Sequence, residues 1–354
     1  MIAIIHTVVS HYREAFFEGL AKSQDFDIYC FLNQNETTEK NFKVSDYSVK
    51  DLWKVSFGKF VFYSLTPFFN TKYDTIVLMW NFGHISSWIL LLTKIFHKKK
   101  LILWGHGISV RRYLKEEKSP DFLLKLMAYF ADGLWVYMEK EELQWKEIFP
   151  KKQIVGLNNT ISEVDSLINL NFSEQKKSDI KQKYKITNDL IFIYCARFNN
   201  DHRRPDLLLK IVQLFSNSKF GFIIIGSGPS KPDFTGYSNV YEFGSIYDRN
   251  IKDELFCISD IYVQPGWVGL SIVEAMAYGK PIATFKRSET ILQCVEYSLI
   301  DSTNGFLFND IQEMFETLTK VSSEEIKLKG ENSRNLVKNK VTMQNMVDKA
   351  ISIL

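Results

Sequence analysis

The stretch from Ile261 to Phe285, IYVQPGWVGLSIVEAMAYGKPIATF, gathers residue types that bind an anionic ligand. An apolar run before Pro265 predicts a buried strand, Gly266 and Gly269 allow a sharp turn, and Ser271 to Tyr278 has helical spacing that stops at Gly279-Lys280-Pro281. A helix N-terminus carries about half a positive charge, so the free amides beside Gly269 suit a phosphate. Glu274 follows one turn later, where its carboxylate could accept hydrogen bonds from ribose hydroxyls. Ser271 and Glu274 equally fit the S-x-x-E capping box, in which each satisfies the other's backbone amide, and spacing leaves both readings open.

Three further stretches carry candidate chemistry. ARFNNDHRRPDLLLK places Arg197, Arg203 and Arg204 in or beside a strand-to-helix loop, where guanidinium forks match phosphate oxygens and would stabilise a diphosphate leaving group. Surface arginines are the alternative. IIIGSGP has Gly226 and Gly228 after a strand, but the match to a dinucleotide fingerprint fails at its third glycine, where Lys231 stands, which leaves a dehydrogenase reading weak. WGHG sets His106 between two glycines at a strand end, where it could donate to a sugar hydroxyl or phosphate. His11 and Arg13, beyond the first strand, are candidates for acceptor contact. No Ser/His/Asp triad, nucleophile elbow or P-loop is visible.

These loops need a scaffold, and the chain's periodicity supplies one. Strands are expected at Ile2 to Val9, Asp27 to Leu32, Asp74 to Met79, Leu101 to Trp104, Leu134 to Tyr137 and Gln153 to Leu157, interleaved with helices at Tyr12 to Lys22, His84 to His97, Ser119 to Ala131 and Glu139 to Ile148. Thr160 to Tyr184 is polar and lysine-rich and reads as a link, with a surface helix from Ser173 between domains. A second alternation runs from Leu190 to Phe308, including a helix at Thr290 to Tyr297, and three helices close the chain. Residues 33 to 72 are dense in Trp53, Lys54, Phe57, Lys59, Phe60, Phe62, Tyr63, Phe68 and Phe69. They suit either a membrane-interface patch or strands and a short helix over a core edge.

The expected fold class is α/β with two Rossmann-like, doubly wound parallel-sheet domains facing across a cleft. The boundaries are 1–165, 166–340 and a C-terminal helix, 341–354, packing back on the first domain. At 354 residues, 45% hydrophobic, the chain is long enough for two cores. A net charge of +3 lacks the general footprint of a nucleic-acid binder. Cys30, Cys195, Cys257 and Cys294 are widely spaced, with no zinc or redox motif, as in a reducing compartment. The N-terminus reads as a strand rather than an export signal, and Ile85 to Phe96 falls well short of the ~20 residues that span a bilayer. A cytoplasmic chain is the expectation.

Together these residues resemble a GT-B glycosyltransferase of the family-4 type, the retaining enzymes that use nucleotide sugars. PGWVGLSIVEAMAYGKP is similar to that family's E-x7-E segment. ARFNNDHRRPDLLL, IIIGSGP, EFGSI, NGFLF, ADGLWVYMEKEE and VGLNNTI support it, and HYREAFF and WGHG resemble the acceptor half. The resemblance implies that Glu274 binds the ribose and that Arg197 and Arg203 bind the diphosphate. It also implies that Gly269, Leu270 and Ser271 offer amides and that Ile246 lies near the base. Gly266 stands where the family has its first glutamate, which puts the identity of the donated sugar in question; Arg203 stands where the family has lysine. The implied activity is transfer of a sugar to a glycan or lipid-linked acceptor, with no metal cofactor and no nucleic acid partner. Surface-polysaccharide assembly is implied, with peripheral contact to the inner membrane leaflet. The rival readings are a nucleotide-sugar epimerase of the same architecture and a non-catalytic nucleotide-sugar-binding partner of another transferase.

Overall fold

The structure is a computed structural model that describes residues 1–31, 47–216 and 218–354. It divides into two compact units, Met1–Glu163 with Thr342–Leu354, and Val164–Val341.

The first unit holds a seven-stranded sheet of order β3-β2-β1-β6-β7-β8-β9, every pairing parallel. Its strands are β1 (Ile2–His6), β2 (Phe26–Cys30), β3 (Lys50–Asp51), β6 (Thr75–Met79), β7 (Lys100–Gly105), β8 (Gly133–Val136) and β9 (Gln153–Gly156). The central strands β1, β6, β7 and β8 are apolar at nearly every position because helices cover both faces, as parallel sheets require. On one face α1 (Glu14–Ala21) and α11 (Met343–Ile351) pack through Phe16, Phe17, Met346, Val347 and Ala350. Met343–Ile351 is thus part of this unit, started by Thr342, whose hydroxyl accepts from the Asn345 amide. On the other face lie α2 (Ile85–Leu92) and α3 (Phe122–Phe130), while α4 (Glu139–Ile148) contributes Trp145 to the same cluster.

Residues 33 to 46 of the aromatic, basic region lie outside the described residues. The rest includes an antiparallel hairpin, β4 (Lys54–Phe57) with β5 (Phe60–Tyr63), followed by a 3-10 turn at Thr66–Phe69. Tyr63 and Phe68 are buried in the core, whereas Trp53, Phe57 and Phe60 are 69%, 68% and 50% exposed. The core-edge expectation therefore describes one side of this region, and the other side presents aromatics to solvent. No helix among the described residues is long and apolar enough to cross a membrane.

The second unit holds a six-stranded parallel sheet of order β12-β11-β10-β13-β14-β15. Its strands are β10 (Leu190–Cys195), β11 (Phe220–Ile225), β12 (Val240–Gly244), β13 (Ile261–Val263), β14 (Ile282–Phe285) and β15 (Gly305–Phe308). Helices α5 (Glu174–Lys183), α6 (Pro205–Leu214), α7 (Arg249–Ile258), α8 (Leu270–Ala277), α9 (Ile311–Leu318) and α10 (Ser323–Lys340) surround it. In α6, Pro205 occupies the first turn, and Leu208, Ile211 and Val212 recur at helical spacing on the buried face.

The change from one unit to the other, between Glu163 and Val164, falls inside the Thr160 to Tyr184 segment, but its helix does not stand between the units: Thr160 is buried in the first unit, and α5 belongs to the second. The helix buries Ile180, and Lys183 and the Tyr184 hydroxyl both reach Glu254 on α7, at 2.6 and 2.5 Å. Thr290 to Tyr297 is not a helix; only a 3-10 turn, Val295–Leu299, forms. The preceding residues use their polar groups to bind the glycine turn after β13. Leu292 O accepts from Trp267 N at 2.7 Å, Gln293 Oε1 from Val268 N at 2.9 Å, and Cys294 N donates to Val268 O at 3.2 Å.

Candidate active site

Each sheet reverses its winding once, between β1 and β6 and between β10 and β13, and open parallel sheets bind ligands beyond the carboxyl ends of strands at such points. In the second unit the loops there are Ala196 to Arg204 and Gln264 to Gly269.

Tertiary contacts hold the second loop rigidly. Gln264 is fully buried; its amide donates to the carbonyls of Gly266 and Trp267 at 3.1 and 2.7 Å, and its Oε1 accepts from Tyr262 and Ser271 hydroxyls at 2.7 and 2.8 Å. Thr284 Oγ1 donates to the Gln264 carbonyl at 2.7 Å. Helix α8 begins at Leu270 with Gly269 as its N-cap and no side-chain cap. The early amides of α8 thus emerge at the switch point, and Ser271 is turned toward Gln264.

That placement removes the capping-box reading. Ser271 lies inside the helix, and the Glu274 carboxylate pairs with Lys252 Nζ on α7 at 2.6 Å, with both side chains mostly buried. Lys252 was not singled out from the sequence. Its signal is the Asp248 cap that starts α7 just after EFGSI, accepting from Asn250 N at 2.8 Å and placing Lys252 in the first turn. Beside this pair, Arg249 Nε donates to Asp253 Oδ1 at 2.6 Å, and the Tyr278 hydroxyl donates to the same carboxylate.

On the first loop, Arg197 is half-buried just past β10. Arg203 is half-buried too, and its charge acts on the Tyr194 hydroxyl, whose pKa burial nonetheless pushes up to about 12. Cys195 lies within the fields of Lys252, Glu274 and Arg203, and burial raises its thiol to about 11. Arg203 and Glu274 are therefore brought to one region. Arg204 is not available as a phosphate clamp: its guanidinium grips Asp206 at 2.6 and 2.8 Å and donates to Thr290 O at 3.1 Å. Ile246 is half-buried after β12.

IIIGSGP serves this loop by close approach. Gly226 and Gly228 have φ of 141° and 147°, and a Cβ on either would meet Ala196 O at 2.1 Å or Phe198 carbonyl atoms at 2.5 Å. Phe198 N donates to Ser227 O at 3.0 Å, so the two loops are fastened together.

Gly266 is explained by the same packing. A Cβ there would meet His202 O at 2.7 Å and Arg204 Cγ at 2.9 Å, so the first loop fills the space a side chain would need. Trp267 takes φ of 49°, uncommon for a bulky residue, and its ring stacks on His202 at 5.0 Å. Neither aromatic was singled out from the sequence.

In the first unit, His106 follows β7 with its ring 4.4 Å from Tyr137, and Trp145 Nε1 donates to Gly107 O at 3.2 Å, fixing the WGHG turn. His11 is exposed on the turn after β1, whereas Arg13 is only 3% exposed. A cavity of about 750 Å³ in the second unit, lined by Asp189, Asp260, Lys280 and Arg334 among others, lies at the amino ends of β10 and β13 and so away from the switch point.

Residues 189–324 match the family model described as Glycosyl transferases group 1. A Haemophilus influenzae protein described as an uncharacterized glycosyltransferase is 25% identical over 234 residues, which are 62% of this chain and 59% of that one. Among solved structures, Anabaena HepE in complex with UDP has a TM-score of 0.66 at 14% identity, with all of both chains covered. The apo form of the lipopolysaccharide outer core galactosyltransferase WaaB also scores 0.66, at 13% identity over 100% of this chain and 99% of that one. The two parallel-sheet domains are those of the GT-B fold.

Proposed function

We propose that this chain, whose residues 189–324 match the family model of the group 1 glycosyl transferases, moves a sugar from a nucleoside diphosphate donor to a glycan or lipid-linked acceptor with retention of configuration. The observation that carries the reading is the uncapped N-terminus of α8 at the β10/β13 switch point, with Glu274 one turn in and Arg203 on the neighbouring loop. The amides of Gly269, Leu270 and Ser271 and the guanidinium groups of Arg197 and Arg203 hold the diphosphate. As the bond to the sugar breaks, negative charge grows on the diphosphate, and fixed donors stabilise it without reorganising. Glu274, which also pairs with Lys252, accepts from the ribose hydroxyls, and Ile246 borders the base. His106, on the first unit, is assigned to a sugar hydroxyl or phosphate, and His11 and Arg13 to the acceptor. In this reading the arginines and the helix N-terminus carry the charge that a metal would otherwise carry.

Relatives support the context. HepE was solved with UDP and with UDP-glucose, and WaaB is a lipopolysaccharide galactosyltransferase. We extend this to assembly of a bacterial surface polysaccharide at the cytoplasmic face of the membrane, with the exposed aromatics and lysines of the β4–β5 hairpin touching the lipid surface.

The test is turnover by the purified chain. Incubation with UDP-hexoses and glycan acceptors should give a glycosylated product with retained configuration. An epimerised sugar from the donor alone, with no transfer, would overturn the reading. A second reading, a nucleotide-sugar-binding partner without turnover, draws on one observation: Gly266 leaves no carboxylate at the turn, and His202 and Arg204 fill its place. It predicts UDP binding without product.

A further inference from the structure

The carboxyl edge of the first sheet contains an ionised group with no counter-ion. Arg13 closes the 3-10 turn His11–Arg13 that follows β1, at the β1/β6 switch point, and is 3% exposed. Among the described residues no carboxylate lies within ion-pairing distance of it, and its Nη1 is enclosed without a hydrogen-bond partner. Aromatic rings surround the guanidinium instead: Trp104 at 4.9 Å, Tyr137 at 5.3 Å and Tyr12 at 5.6 Å from their centroids. The indole N–H of Trp104, which can only donate, is also enclosed and unpartnered.

Ring faces attract a cation but offer no lone pair to its N–H groups, so they offset part of the desolvation of an arginine and none of its hydrogen bonding. His6, whose ring lies 5.4 Å from Trp104, adds no second charge. Burial, and then the charge on Arg13, push its pKa down to about 4, so it is neutral near pH 7. One fixed cation with a neighbouring unused donor, in an aromatic box at a ligand-binding edge, is complementary to an oxyanion.

We infer that Arg13 anchors a carboxylate or phosphate group carried by the sugar-accepting molecule, so that the acceptor is an acidic glycan or a phosphate-linked one rather than a neutral sugar. The inference rests on assigning the first unit to the acceptor. A guanidinium fork takes two oxygens of such a group at once, and the apolar walls exclude water that would weaken the pair.

Thermal shift and tryptophan fluorescence of the full chain test this, since Trp104 reports on the box. The probes are glucuronate for a carboxylate and glycerol 3-phosphate for a phosphate, with glucose and glycerol as neutral controls and UDP as a separate probe of the second unit. The wild type should bind at least one anion and neither neutral control, and the preferred anion tells which group the acceptor carries. Arg13→Met, which fills the box without charge, and Arg13→Gln, which keeps a polar group, should each weaken that binding by about tenfold or more while keeping the UDP shift. Anion binding undiminished in both variants, or no anion binding by the wild type, would overturn the inference. A wild type that takes the anion but shows no response to any nucleotide would instead remove the assigned nucleotide site and leave Arg13 standing.

Discussion

Replacing Glu274 by glutamine separates its two roles, partner of Lys252 and ligand of the ribose. The Lys252–Glu274 pair is 2.6 Å long, with side chains 23% and 16% exposed, so it is neither a fully solvated pair nor a dry one. Breaking it should cost about 1–2 kcal/mol, between the surface and buried limits. For a unit the size of Val164–Val341 that lowers Tm by roughly 2–8 °C. UDP at 100 times its Kd adds about 2.7 kcal/mol to the wild type. Loss of charge-assisted bonds to the ribose should weaken binding by about tenfold, and the same UDP concentration then adds only about 1.4 kcal/mol. Lys252→Met should show the same kind of stability loss yet keep the UDP increment, because it leaves the carboxylate in place. Measuring Tm with and without UDP, beside calorimetric Kd values, for both variants and the double mutant distinguishes the cases. If Glu274→Gln keeps the full UDP increment while Lys252→Met loses it, the nucleotide is held by Lys252, and the assignment of Glu274 to the ribose fails.

Three other outcomes are expected. Gly266→Glu should not create a working carboxylate; the clash with His202 O should instead cost about 1–3 kcal/mol, and an increase in both Tm and UDP-sugar affinity would contradict the packing described. Vesicle flotation with anionic lipids should recover the wild type, and joint replacement of Lys54, Lys59, Phe60 and Phe62 should lower recovery several-fold; unchanged flotation would reject the hairpin as the contact. Burial holds the pKa of His84 down at about 4, below its unfolded value of 6.5. Between these values the unfolded chain binds the proton and the folded chain does not, so the contribution of His84 is whole above pH 6.5 and falls with acidification. The loss from pH 7 to 5 is roughly 2 kcal/mol. Denaturant titrations at both pH values should show a shallower fall for His84→Asn, and an identical fall would assign the acid sensitivity elsewhere.

The alternation of apolar runs with 3.6-residue periodicity was enough to read two parallel α/β sheets, because buried parallel strands and the helices that cover them differ in period and length. Glu139–Ile148 was placed to the residue for that reason, and the loops at the carboxyl ends followed from the strand order. Local spacing does not contain the partners that reach a residue from distant chain, and the remaining decisions came from those. Ser271 and Glu274 have capping-box spacing, but the Gly269 cap places Ser271 inside the helix, and Lys252 takes the carboxylate. Thr290 to Tyr297 has helical composition, yet Leu292, Gln293 and Cys294 bond the Trp267-Val268 backbone instead, and those bonds replace a helix. Arg203 and Arg204 are adjacent and chemically identical; Asp206 and the Thr290 carbonyl claim Arg204 and leave Arg203 beside Tyr194. Arg13 read only as a candidate for acceptor contact beside His11. The rings of Tyr12, Trp104 and Tyr137, brought together by the turn after β1, by β7 and by the end of β8, enclose it, because only packing determines which charges are denied both water and a counter-ion.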